Sequence, residues 1–460
     1  MLVQEDTIAA IATPKGVGGI GIIRISGPKA EEIGHRLFKP KKHSSHLQSH
    51  HLYYGNIVSP DTGAILDEAL LSIMRKPHSY TGEDTIEINC HGGPVVLEAV
   101  LHEILKAGSR LAEPGEFTKR AYLNGRLDLA QAEAVIDLIM AQSNRGLGLA
   151  LSHLRGNVSQ KVNALRSSLI EILAQLEILI DFTEEDIDIS PSSELSDTVQ
   201  RIIDDIEEIL KTYSEGKTVR DGLNIIITGK PNVGKSSLLN RLLGEKRAII
   251  TPIPGTTRDF IEEALLIKGI PVKLIDTAGI RDVTDQIEAE GIKLVWEKVS
   301  SADIVIILLD CSTCITEEDL EVIEKNKGKE IILAVNKSDL PSQIQDGDLG
   351  MIISDVDPIW ISAKYGDGIS QLTEKIYEVA MENKRTTESD VVLSNLRHKV
   401  AFEKAHDLLT AAYNNILRGL SPELAAFDIK ESLVHLGDII GETTNEDVLD
   451  RIFSTFCIGK

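Results

Sequence analysis

The residue types best suited to chemistry lie in one glycine-rich stretch near the middle of the chain, Gly229–Ser236. It follows an apolar run at 223–228 and precedes a leucine-rich helical segment, which is the strand–loop–helix context of a phosphate-binding loop. The backbone N–H groups of such a loop, with a helix N-terminus behind them, bind phosphate oxygens. Lys235 would reach the β- and γ-phosphates, and Ser236 would hold Mg²⁺ through its hydroxyl. The stretch therefore predicts a nucleoside triphosphate site.

Four further short motifs follow this loop in the order that a GTPase requires. Thr256–Asp259 lies where a first switch loop belongs, and Asp276–Gly279 ends a predicted strand, so that Asp276 would hold Mg²⁺ through water. In Asn336–Asp339 the final carboxylate can accept the N1 and N2 donors of guanine, a pair that adenine lacks, and Ser362–Lys364 would support guanine O6. The predicted nucleotide-binding residues are Asn232, Val233, Gly234, Lys235, Ser236, Ser237, Thr251, Thr256, Thr257, Asp276, Thr277, Ala278, Gly279, Asn336, Lys337, Asp339, Ser362, Ala363 and Lys364.

Hydrolysis would need a group that orients water and a positive charge beside the phosphates. Ile280 occupies the place where many GTPases carry a water-orienting glutamine, and no arginine finger is evident in the sequence. Asn232 and the oxygens of Thr251–Thr256 could hold a monovalent cation, and either Glu288 or Asp282 could orient the water. The alternative is a slow switch that needs a separate activator.

Composition limits the partners that the chain can have. Its 460 residues suggest about three domains, and 48 Lys and Arg against 71 Asp and Glu give a net charge of −23. Such a surface repels nucleic acid, so RNA contact would need a local basic patch or a partner, and the alternative is that no nucleic acid is involved. Four cysteines, no leader and no apolar run near ~18 residues predict a cytoplasmic protein without a membrane segment.

The first third of the chain, residues 1–118, is predicted to be a small mixed α/β domain. Strands are predicted at 7–13, 20–26, 69–74 and 84–90, and a helix at Pro94–Lys106. Gly16, Gly18 and Gly21 match G-x-G-x-x-G, but a β-branched strand follows instead of a helix, so a dinucleotide site is rejected. Loop or turn roles, rather than metal binding or catalysis, are predicted for His43, His46, His50, His51 and His91.

Most of the remaining chain is predicted to be helical. Amphipathic patterns cover 116–142, 147–181, 196–213, 395–417, 421–438 and 445–453, with an acidic loop at 183–191. The helices of 381–460 are expected to pack with 119–220, which makes 221–380 an insertion between two halves of one helical domain. The end of the chain either frays, or docks so that Cys457 or Lys460 acquires a role.

Within 221–380 the predicted strands place the nucleotide-binding motifs at strand ends. A hairpin is predicted at 260–267 and 272–275, and buried parallel strands at 304–309, 331–335 and 358–361. Cys311 and Cys314 look like half of a redox or zinc site. No second pair accompanies them, so we predict ordinary structural cysteines.

Several longer motifs accompany the GTPase motifs. They are TPKGVGGIGIIRISG at 13–27, SYTGED at 79–84, HGGP at 91–94, PGEFTKRA at 114–121, NGRLDLAQAE at 124–133 and FCIGK at 456–460. With these motifs the whole chain resembles the MnmE (TrmE) family of tRNA-modification GTPases. The resemblance implies a multidomain fold of α/β and all-α parts. They are a small α/β N-terminal folate-binding domain that dimerises (1–118), a discontinuous helical domain (119–220 and 381–460) and an inserted Ras-like P-loop GTPase domain (221–380).

The resemblance also implies a function: a potassium-stimulated GTPase that forms a homodimer and works with the flavoprotein MnmG on tRNA. The pair would install an aminomethyl- or carboxymethylaminomethyl-type group at C5 of the wobble uridine. The one-carbon unit would come from 5-formyl- or methylene-tetrahydrofolate. From the acidic surface we expect that the flavoprotein supplies most of the contact with tRNA and that this chain contributes a limited patch. The alternative is a ribosome-assembly-type GTPase switch, although 381–460 shows no basic G-x-x-G loop. A third reading is a folate-binding scaffold whose GTPase only gates dimerisation.

The family's functional residues can be matched by position. Potassium would be held by Asn232, Thr251, Thr256 and the carbonyl of Ile253, and Mg²⁺ by Ser236 and Thr257. Glu288 would orient the attacking water. The folate residues would be Arg24, Glu87, Arg126 and Lys460. Glu87 suits the paired donors of a pterin. At Arg126 a relative can carry Lys, so a planar fork replaces a point charge there. Cys457 is expected to pack rather than to take part in one-carbon chemistry.

Overall fold

The structure is a computed structural model that describes residues 6–41, 47–181, 192–246, 262–276, 302–344, 357–381 and 391–460. The chain divides into two compact units. Unit 1 consists of Met1–Ile136, His153–Ala174 and Ile429–Lys460, and unit 2 of Asp137–Ser152 and Gln175–Asp428. Within the ranges described, no helix is both long and apolar enough to cross a membrane.

A seven-stranded sheet forms the core of unit 1. Its strands are β1 (Ile8–Ile11), β2 (Ile20–Ser26), β3 (Phe38–Pro40), β4 (Leu52–Val58), β5 (Ile65–Met74), β6 (Thr85–His91) and β7 (Arg110–Leu111). Their order across the sheet is β3-β4-β5-β6-β2-β1-β7, with only the β1–β7 pair parallel. Helices α1 (Ala30–Leu37) and α2 (Pro94–Lys106) complete this α/β part. The predicted strands and the predicted helix at Pro94–Lys106 are therefore confirmed.

The two faces of this sheet differ in what covers them. Alternate residues such as Ile23 and Ile86 point toward α1 and α2 and form a buried core. On the opposite face, Arg24 lies beside Glu87 in register, and the row continues through Ser72 to Leu52. Residues of the β1 side of that face are buried with Phe117, whereas the β4–β5 side is exposed. The Arg24–Glu87 pair therefore lies where covered sheet meets open sheet.

The helices that follow are shorter than their sequence pattern predicts. They are α3 (Glu116–Leu123), α4 (Leu129–Met140), α5 (Asn144–Leu154) and α6 (Asn157–Asp181). The prediction of continuous helices over 116–142 and 147–181 was wrong, because Gly125 has φ 68° and Gly156 has φ 89°. Left-handed backbone ends a right-handed helix, and glycine enters that region without steric cost. The apolar spacing continues across both breaks and conceals them.

The end of the chain docks onto unit 1. Helix α14 (Glu446–Ser454) packs on α4, with Phe453 and Phe456 in a buried cluster with Leu129. Beyond it, Ile458 pairs with Pro114 in an isolated bridge, and the Gly115 N–H donates to the Cys457 carbonyl at 3.4 Å. Of the two alternatives for the tail, docking is therefore confirmed and fraying is wrong.

A six-stranded sheet forms the core of unit 2. Its strands are β8 (Leu223–Thr228), β9 (Glu262–Ile267), β10 (Ile270–Asp276), β11 (Ile304–Asp310), β12 (Ile331–Asn336) and β13 (Ile359–Trp360). They run in the order β13-β12-β11-β8-β10-β9, and β9 alone is antiparallel. Helices α9 (Lys235–Lys246), α10 (Glu317–Lys325) and α11 (Ile369–Met381) belong to the same fold. All of β11 is buried, as its continuous apolar run predicted.

Four further helices precede and follow this sheet in the chain: α7 (Ser192–Lys211), α8 (Tyr213–Asp221), α12 (Leu396–Leu417) and α13 (Pro422–Ile440). Helix α12 packs along α7, and the Leu393 N–H donates to Thr212 Oγ1 at 2.9 Å. Asn395 caps α12 by accepting from the Arg397 N–H at 2.9 Å. Contact between the C-terminal helices and the segment 119–220 is therefore present in unit 2, as expected.

The close contact between the docked tail and Gly115 predicts that a larger residue at this position lowers the stability of the fold. Both Gly115 (φ 69°) and Gly125 (φ 68°) are left-handed, but a Cβ on Gly115 would lie 2.5 Å from the Phe453 carbonyl oxygen, whereas one on Gly125 meets nothing within 4 Å. Gly125→Ala should cost about 1 kcal/mol, from backbone strain alone. Gly115→Ala should cost a further ~1–3 kcal/mol, from overpacking. Unfolding in urea measures the loss of stability in each variant, and the midpoint should fall further for Gly115→Ala. Equal shifts would show that the docked tail moves aside from the new Cβ without cost.

Candidate functional site

The loop between β8 and α9 is built around residues that only special backbone conformations allow. Gly229 has φ 152° and Gly234 has φ 103°, and a Cβ on either would collide with the Leu308 carbonyl or the Asn336 side chain, respectively. Asn232 has φ 63°, a conformation that asparagine tolerates better than most residues. Val233 is buried beneath the loop. Gly229 and Gly234 are thus required because the ends of the neighbouring strands β11 and β12 pass too close to the loop for a side chain.

The charged and hydroxyl groups of this loop lie at the start of α9. The Lys235 ammonium donates to the carbonyl oxygens of Gly229 and Lys230, at 3.0 and 2.9 Å, so it folds back over the loop. Ser236 and Ser237 follow it in the first turn, with exposed side chains. This places a lysine, two hydroxyls and a helix N-terminus around one loop, which is an arrangement suited to phosphate.

Asn336, at the end of β12, joins this loop to a second one. Its amide Nδ2 donates to the Val233 carbonyl at 2.7 Å, and its Oδ1 accepts from the Ala363 N–H at 3.0 Å. The side chain is 3% exposed. Because a buried amide is costly unless both ends are satisfied, Asn336 holds the phosphate loop and the loop at 362–364 at a fixed separation.

The carboxylate that the sequence assigns to guanine lies in the loop after β12, against the loop at 362–364, and these two loops together form the base loop. Asp339 Oδ1 accepts from the Ser362 hydroxyl at 2.7 Å, and Ser362 Oγ accepts from the Tyr365 N–H at 3.2 Å. Arg241 of α9 donates to the Ala363 carbonyl at 3.1 Å and also to the Lys364 carbonyl. Asp339 remains exposed. The carboxylate is therefore oriented by its neighbours while its side chain stays accessible to a base.

Lys337 lies next to Asn336 in left-handed backbone, with φ 66°. Its ammonium contacts Asp310 Oδ2 at 2.5 Å, and its carbonyl accepts from the Cys311 thiol at 2.9 Å. Burial alone would raise the pKa of Asp310, but the hydrogen bonds from Lys337 and Ser312 lower it below its usual value. Burial raises the pKa of Cys311, which keeps it a thiol that supports the base loop. Sequence reasoning missed this contact, because nothing in the motif points to it.

Several predicted site residues lie outside the described ranges. They are Thr251, Ile253, Thr256, Thr257, Thr277, Ala278, Gly279 and Glu288, together with Ile280 and Asp282, and in the N-terminal region His43 and His46. Asp276 is described as the last residue of β10, where it pairs in parallel register with Ile227. Its backbone thus lies beside the end of β8, next to the phosphate loop. In the parts of the chain that are described, no group of three His, Cys, Asp or Glu side chains could hold a metal ion.

A second cluster lies in unit 1, on the sheet face described above. Arg24 Nε and Nη2 both lie 2.8 Å from Glu87 Oε1, and Nη1 donates to the Gly459 carbonyl at 3.3 Å. The guanidinium also lies over two aromatic rings, 5.4 Å from the centroid of Tyr80 and 5.6 Å from that of Phe117. The docked tail and the sheet therefore hold Arg24 from several sides.

Lys460 belongs to the same cluster. Its side chain is partly buried, and burial and the neighbouring charge of Arg24 lower its pKa, although Glu87 partly offsets them. The structure thus brings Arg24, Glu87 and Lys460 together. Arg126 is exposed in the turn after α3 and, among the residues described, makes no hydrogen bond or ion pair with these three. Two cations and one carboxylate can bind a ligand that has both paired donors and anionic groups.

Sequence reasoning missed the aromatic residues of this cluster. Tyr80 OH and Thr118 Oγ1 lie 2.8 Å apart, so the hydroxyl of Tyr80 is fixed to α3, and burial raises the pKa of Tyr80. Phe117 is fully buried. Both residues fall inside SYTGED and PGEFTKRA, two motifs that carry the family resemblance. That shared membership was the signal that could have found them.

The histidines singled out in the sequence make local contacts. His91 is exposed at the end of β6, and its Nδ1 lies 2.7 Å from Asp67 Oδ1, while its backbone N–H donates to Asp67 Oδ2 at 2.8 Å. His50 Nδ1 lies 2.9 Å from Ser49 Oγ, and His51 contacts the Ser49 carbonyl. His91 therefore links β6 to β5, whereas the rings of His50 and His51 contact Ser49 in their own loop.

A mostly parallel sheet with a phosphate loop after β8 and a base loop after β12, joined by Asn336, defines a P-loop domain of the guanine-nucleotide-binding class. Two family models match most of the chain. Residues 7–126 match the N-terminus of the GTP-binding protein TrmE, and residues 129–457 match the MnmE helical domain. The chain therefore belongs to the MnmE (TrmE) family of tRNA modification GTPases.

Individual relatives are similar over their full length. The tRNA modification GTPase MnmE of Syntrophus aciditrophicus is 52% identical over 99% of this chain and 100% of its own. Those of Desulforamulus reducens and Moorella thermoacetica are 47% and 46% identical, each over 99% of this chain and 100% of the relative. Among solved structures, the G domain of the T. maritima FeoB iron transporter aligns with 34% of this chain and 98% of its own at 29% identity. The TM-score of this alignment is 0.27.

The Asn336 bridge predicts a large effect of a small truncation. Asn336→Ala removes both hydrogen bonds and leaves the Val233 carbonyl and the Ala363 N–H without their partner, so guanine nucleotide affinity should fall by roughly tenfold or more. Asn326→Ala is the matched control, because the Asn326 side chain donates to the Val322 carbonyl at the end of its own helix, α10. Titration with a fluorescent GDP analogue measures both, and unchanged affinity in Asn336→Ala would contradict the bridge.

Proposed function

We propose that this protein hydrolyses GTP as part of tRNA modification. Together with a flavoprotein of the MnmG type, it would modify C5 of the wobble uridine of certain tRNAs with a one-carbon unit from a tetrahydrofolate. The observation that carries the proposal is that one chain contains both nucleotide loops joined by Asn336 and the Arg24–Glu87–Lys460 cluster. Relatives named tRNA modification GTPase MnmE match it over 99% of its length.

The base loop supports GTP as the nucleotide. The Ser362 hydroxyl holds one oxygen of Asp339, which turns the carboxylate into a defined acceptor for the N1 and N2 donors of guanine. Lys235 lies within the phosphate loop and can exchange its contacts with loop carbonyls for the β- and γ-phosphates. We assign Mg²⁺ to the hydroxyl of Ser236, an exposed residue at the start of α9, with Thr257 as the second ligand. Such a metal ion neutralises developing phosphate charge when bound.

Ile280 stands where many GTPases carry the glutamine that orients the attacking water, so another residue must orient it. We propose Glu288 for this role. Because no arginine finger is evident in the sequence, we propose that potassium supplies the positive charge. Its ligands would be Asn232, Thr251, Thr256 and the Ile253 carbonyl. Asn232 fits this role, because its side chain is exposed and its left-handed backbone sets it at the bend of the phosphate loop. A monovalent cation there would supply the positive charge that other GTPases obtain from arginine.

Potassium dependence is the first test of the hydrolysis proposal. GTP turnover of the full chain, measured in KCl and in NaCl at matched ionic strength, should be much faster in potassium, because the smaller sodium ion fits the same oxygen ligands poorly. Equal, slow rates in both salts would contradict the cation and favour a switch that waits for a separate activator.

Glu288→Ala is the companion variant. It should bind GTP with unchanged affinity, because the residue is assigned to water and not to nucleotide, while hydrolysis falls by roughly 10²–10⁴-fold, the usual contribution of such a group. Modification of tRNA in the presence of the flavoprotein should be lost in parallel. Normal turnover by this variant would remove Glu288 from the mechanism, and normal modification without hydrolysis would favour the folate-binding scaffold.

The cluster in unit 1 supports folate as its ligand. The Glu87 carboxylate accepts from Arg24 through one oxygen, and a carboxylate has further acceptor positions for the paired donors of a pterin. Arg24 and Lys460 supply positive charge for polar and anionic parts of the ligand. Arg126 would approach the ligand from the turn after α3.

Glu87→Gln should weaken binding of 5-formyl-tetrahydrofolate by roughly tenfold or more, because one acceptor becomes a donor and the charge is lost. GTP hydrolysis without folate should be unchanged. The matched control is Glu68→Gln on β5, since Glu68 is an exposed carboxylate of the same sheet that pairs with Lys41. Calorimetric titration measures both variants, and equal affinity for Glu87→Gln and wild type would place the folate elsewhere.

The open part of the N-terminal sheet supports a homodimer. Leu52 and Tyr54 of β4 and Leu70 of β5 lie on the same face as Arg24 and are 64%, 51% and 39% exposed. Adjacent apolar side chains on an open sheet face favour a protein partner. Light scattering should therefore give the mass of two chains at micromolar concentration, and a monomer mass would contradict the dimer.

The charge of the chain supports a partner in tRNA binding. At a net charge of −23, the surface as a whole opposes polyanion binding, so we propose that the flavoprotein makes most of the phosphate contacts. The affinity of this chain alone for tRNA should then be weak. A steep fall of its tRNA affinity with salt, indicating many phosphate contacts, would overturn this assignment.

A further inference from the structure

Lys230, the second residue of the phosphate loop, makes a buried ion pair that the nucleotide-binding motif does not explain. Its ammonium lies 2.7 Å from Asp319 Oδ2 and 3.3 Å from Thr316 Oγ1, both at the N-terminal end of α10. The side chains of Lys230 and Asp319 are 16% and 3% exposed. The pair therefore connects two segments that lie 89 residues apart in sequence.

Asp319 also caps its own helix. Its Oδ2 accepts from the Thr316 N–H and from the Thr316 hydroxyl, each at 2.9 Å, in a capping box. Its other oxygen, Oδ1, is buried and has no hydrogen-bond partner in the part of the chain that the structure describes. A carboxylate so placed depends on a nearby cation, because an uncompensated buried charge is strongly unfavourable. Lys230 supplies that cation.

The same residue contacts the phosphate-binding lysine through its main chain. The Lys230 carbonyl accepts from the Lys235 ammonium at 2.9 Å. Lys230 is followed by Pro231, whose ring restricts the backbone, and then by Asn232 in left-handed conformation. A shift of Lys230 would therefore be transmitted to the position of Lys235 and to the bend at Asn232.

We propose that Lys230 is a positioning residue for the nucleotide site. Its ion pair with Asp319 fixes the first half of the phosphate loop to α10, so that the loop is already arranged for phosphates before the nucleotide binds. Ordering a loop in advance removes a cost that would otherwise reduce affinity. The inference rests on the proposed GTP site at this loop and adds to it a residue whose ammonium is bound by Asp319.

The simpler alternative is that the pair only stabilises the fold, and variants can separate the two roles. Lys230→Met removes the charge and keeps the length, Lys230→Arg keeps the charge, and Asp319→Asn removes the buried carboxylate while retaining an oxygen for the helix cap. The double variant Lys230→Met/Asp319→Asn has no buried charge left at this place. Lys325→Met is the matched control, because Lys325 pairs with Glu321 on the same helix with both side chains exposed.

The measurements are affinity for a fluorescent GDP analogue, KM and kcat for GTP, and the midpoint of thermal unfolding, all on the full chain. Lys230→Met should weaken nucleotide binding by about tenfold, the factor that corresponds to ~1.4 kcal/mol, and raise KM more than it lowers kcat. Lys230→Arg and Lys325→Met should bind like wild type. In the double variant the unfolding midpoint should recover while the affinity stays weak, because the charge is balanced but the loop is no longer attached.

Two results would overturn the inference while leaving the proposed function intact. One is Lys230→Met with a lowered unfolding midpoint and normal nucleotide affinity. The other is a double variant in which midpoint and affinity recover together, which would show that Lys230 acts only by neutralising Asp319. Failure of the wild-type chain itself to bind guanine nucleotides would overturn the proposed function, and the inference with it.

Discussion

The side-chain amide of Asn336 is the interaction on which the nucleotide site depends. Its two ends are saturated by the Val233 carbonyl and the Ala363 N–H, from loops that are far apart in sequence. A buried amide is stable only when both ends are satisfied, so the distance between the phosphate loop and the base loop cannot vary freely. The rest of the site follows from this spacing, because a nucleotide must span both loops at once.

The parallel sheet makes such a bridge possible. Strands β8, β11 and β12 run in the same direction and end on the same edge, so the loops that follow them meet there. The continuous apolar character of β11 buries it on both faces and fixes its neighbours. Asp310 at its end contacts Lys337 in the loop after β12. The Lys230–Asp319 pair connects the start of the phosphate loop to α10. The polar contacts of the site are thus supported by a sheet whose central strand β11 is fully buried.

The Arg24–Glu87–Lys460 cluster in the N-terminal sheet is held by contacts to a single arginine from several elements and not by one bridging amide. Arg24 is placed between Glu87, two aromatic rings and the docked tail, and Phe117 is positioned by α3. That helix is held by ion pairs from Arg120 to Asp6 and to Glu83, and Arg120 also pairs with Glu116 within the helix. Burial would raise the pKa of Glu116, but hydrogen bonds from Arg110 and Arg120 lower it, so the network stays charged. The charged residues of PGEFTKRA thereby fix the position of the Phe117 ring beneath Arg24.

The sequence by itself determined the class of the nucleotide domain, the strands that carry its motifs and the family, because these depend on local order: apolar runs, glycines at strand ends and short motifs in a set succession. It also predicted the two strands that carry Arg24 and Glu87, but the pairing of these strands in one register was seen only in the structure. Only the tertiary structure decided where the long helical patterns break, since Gly125 and Gly156 leave the apolar spacing intact. The contacts of Tyr80, Phe117 and the tail with Arg24, and those of Lys230 with Asp319, join residues distant in sequence. No periodicity encodes such pairs, because packing in three dimensions selects them.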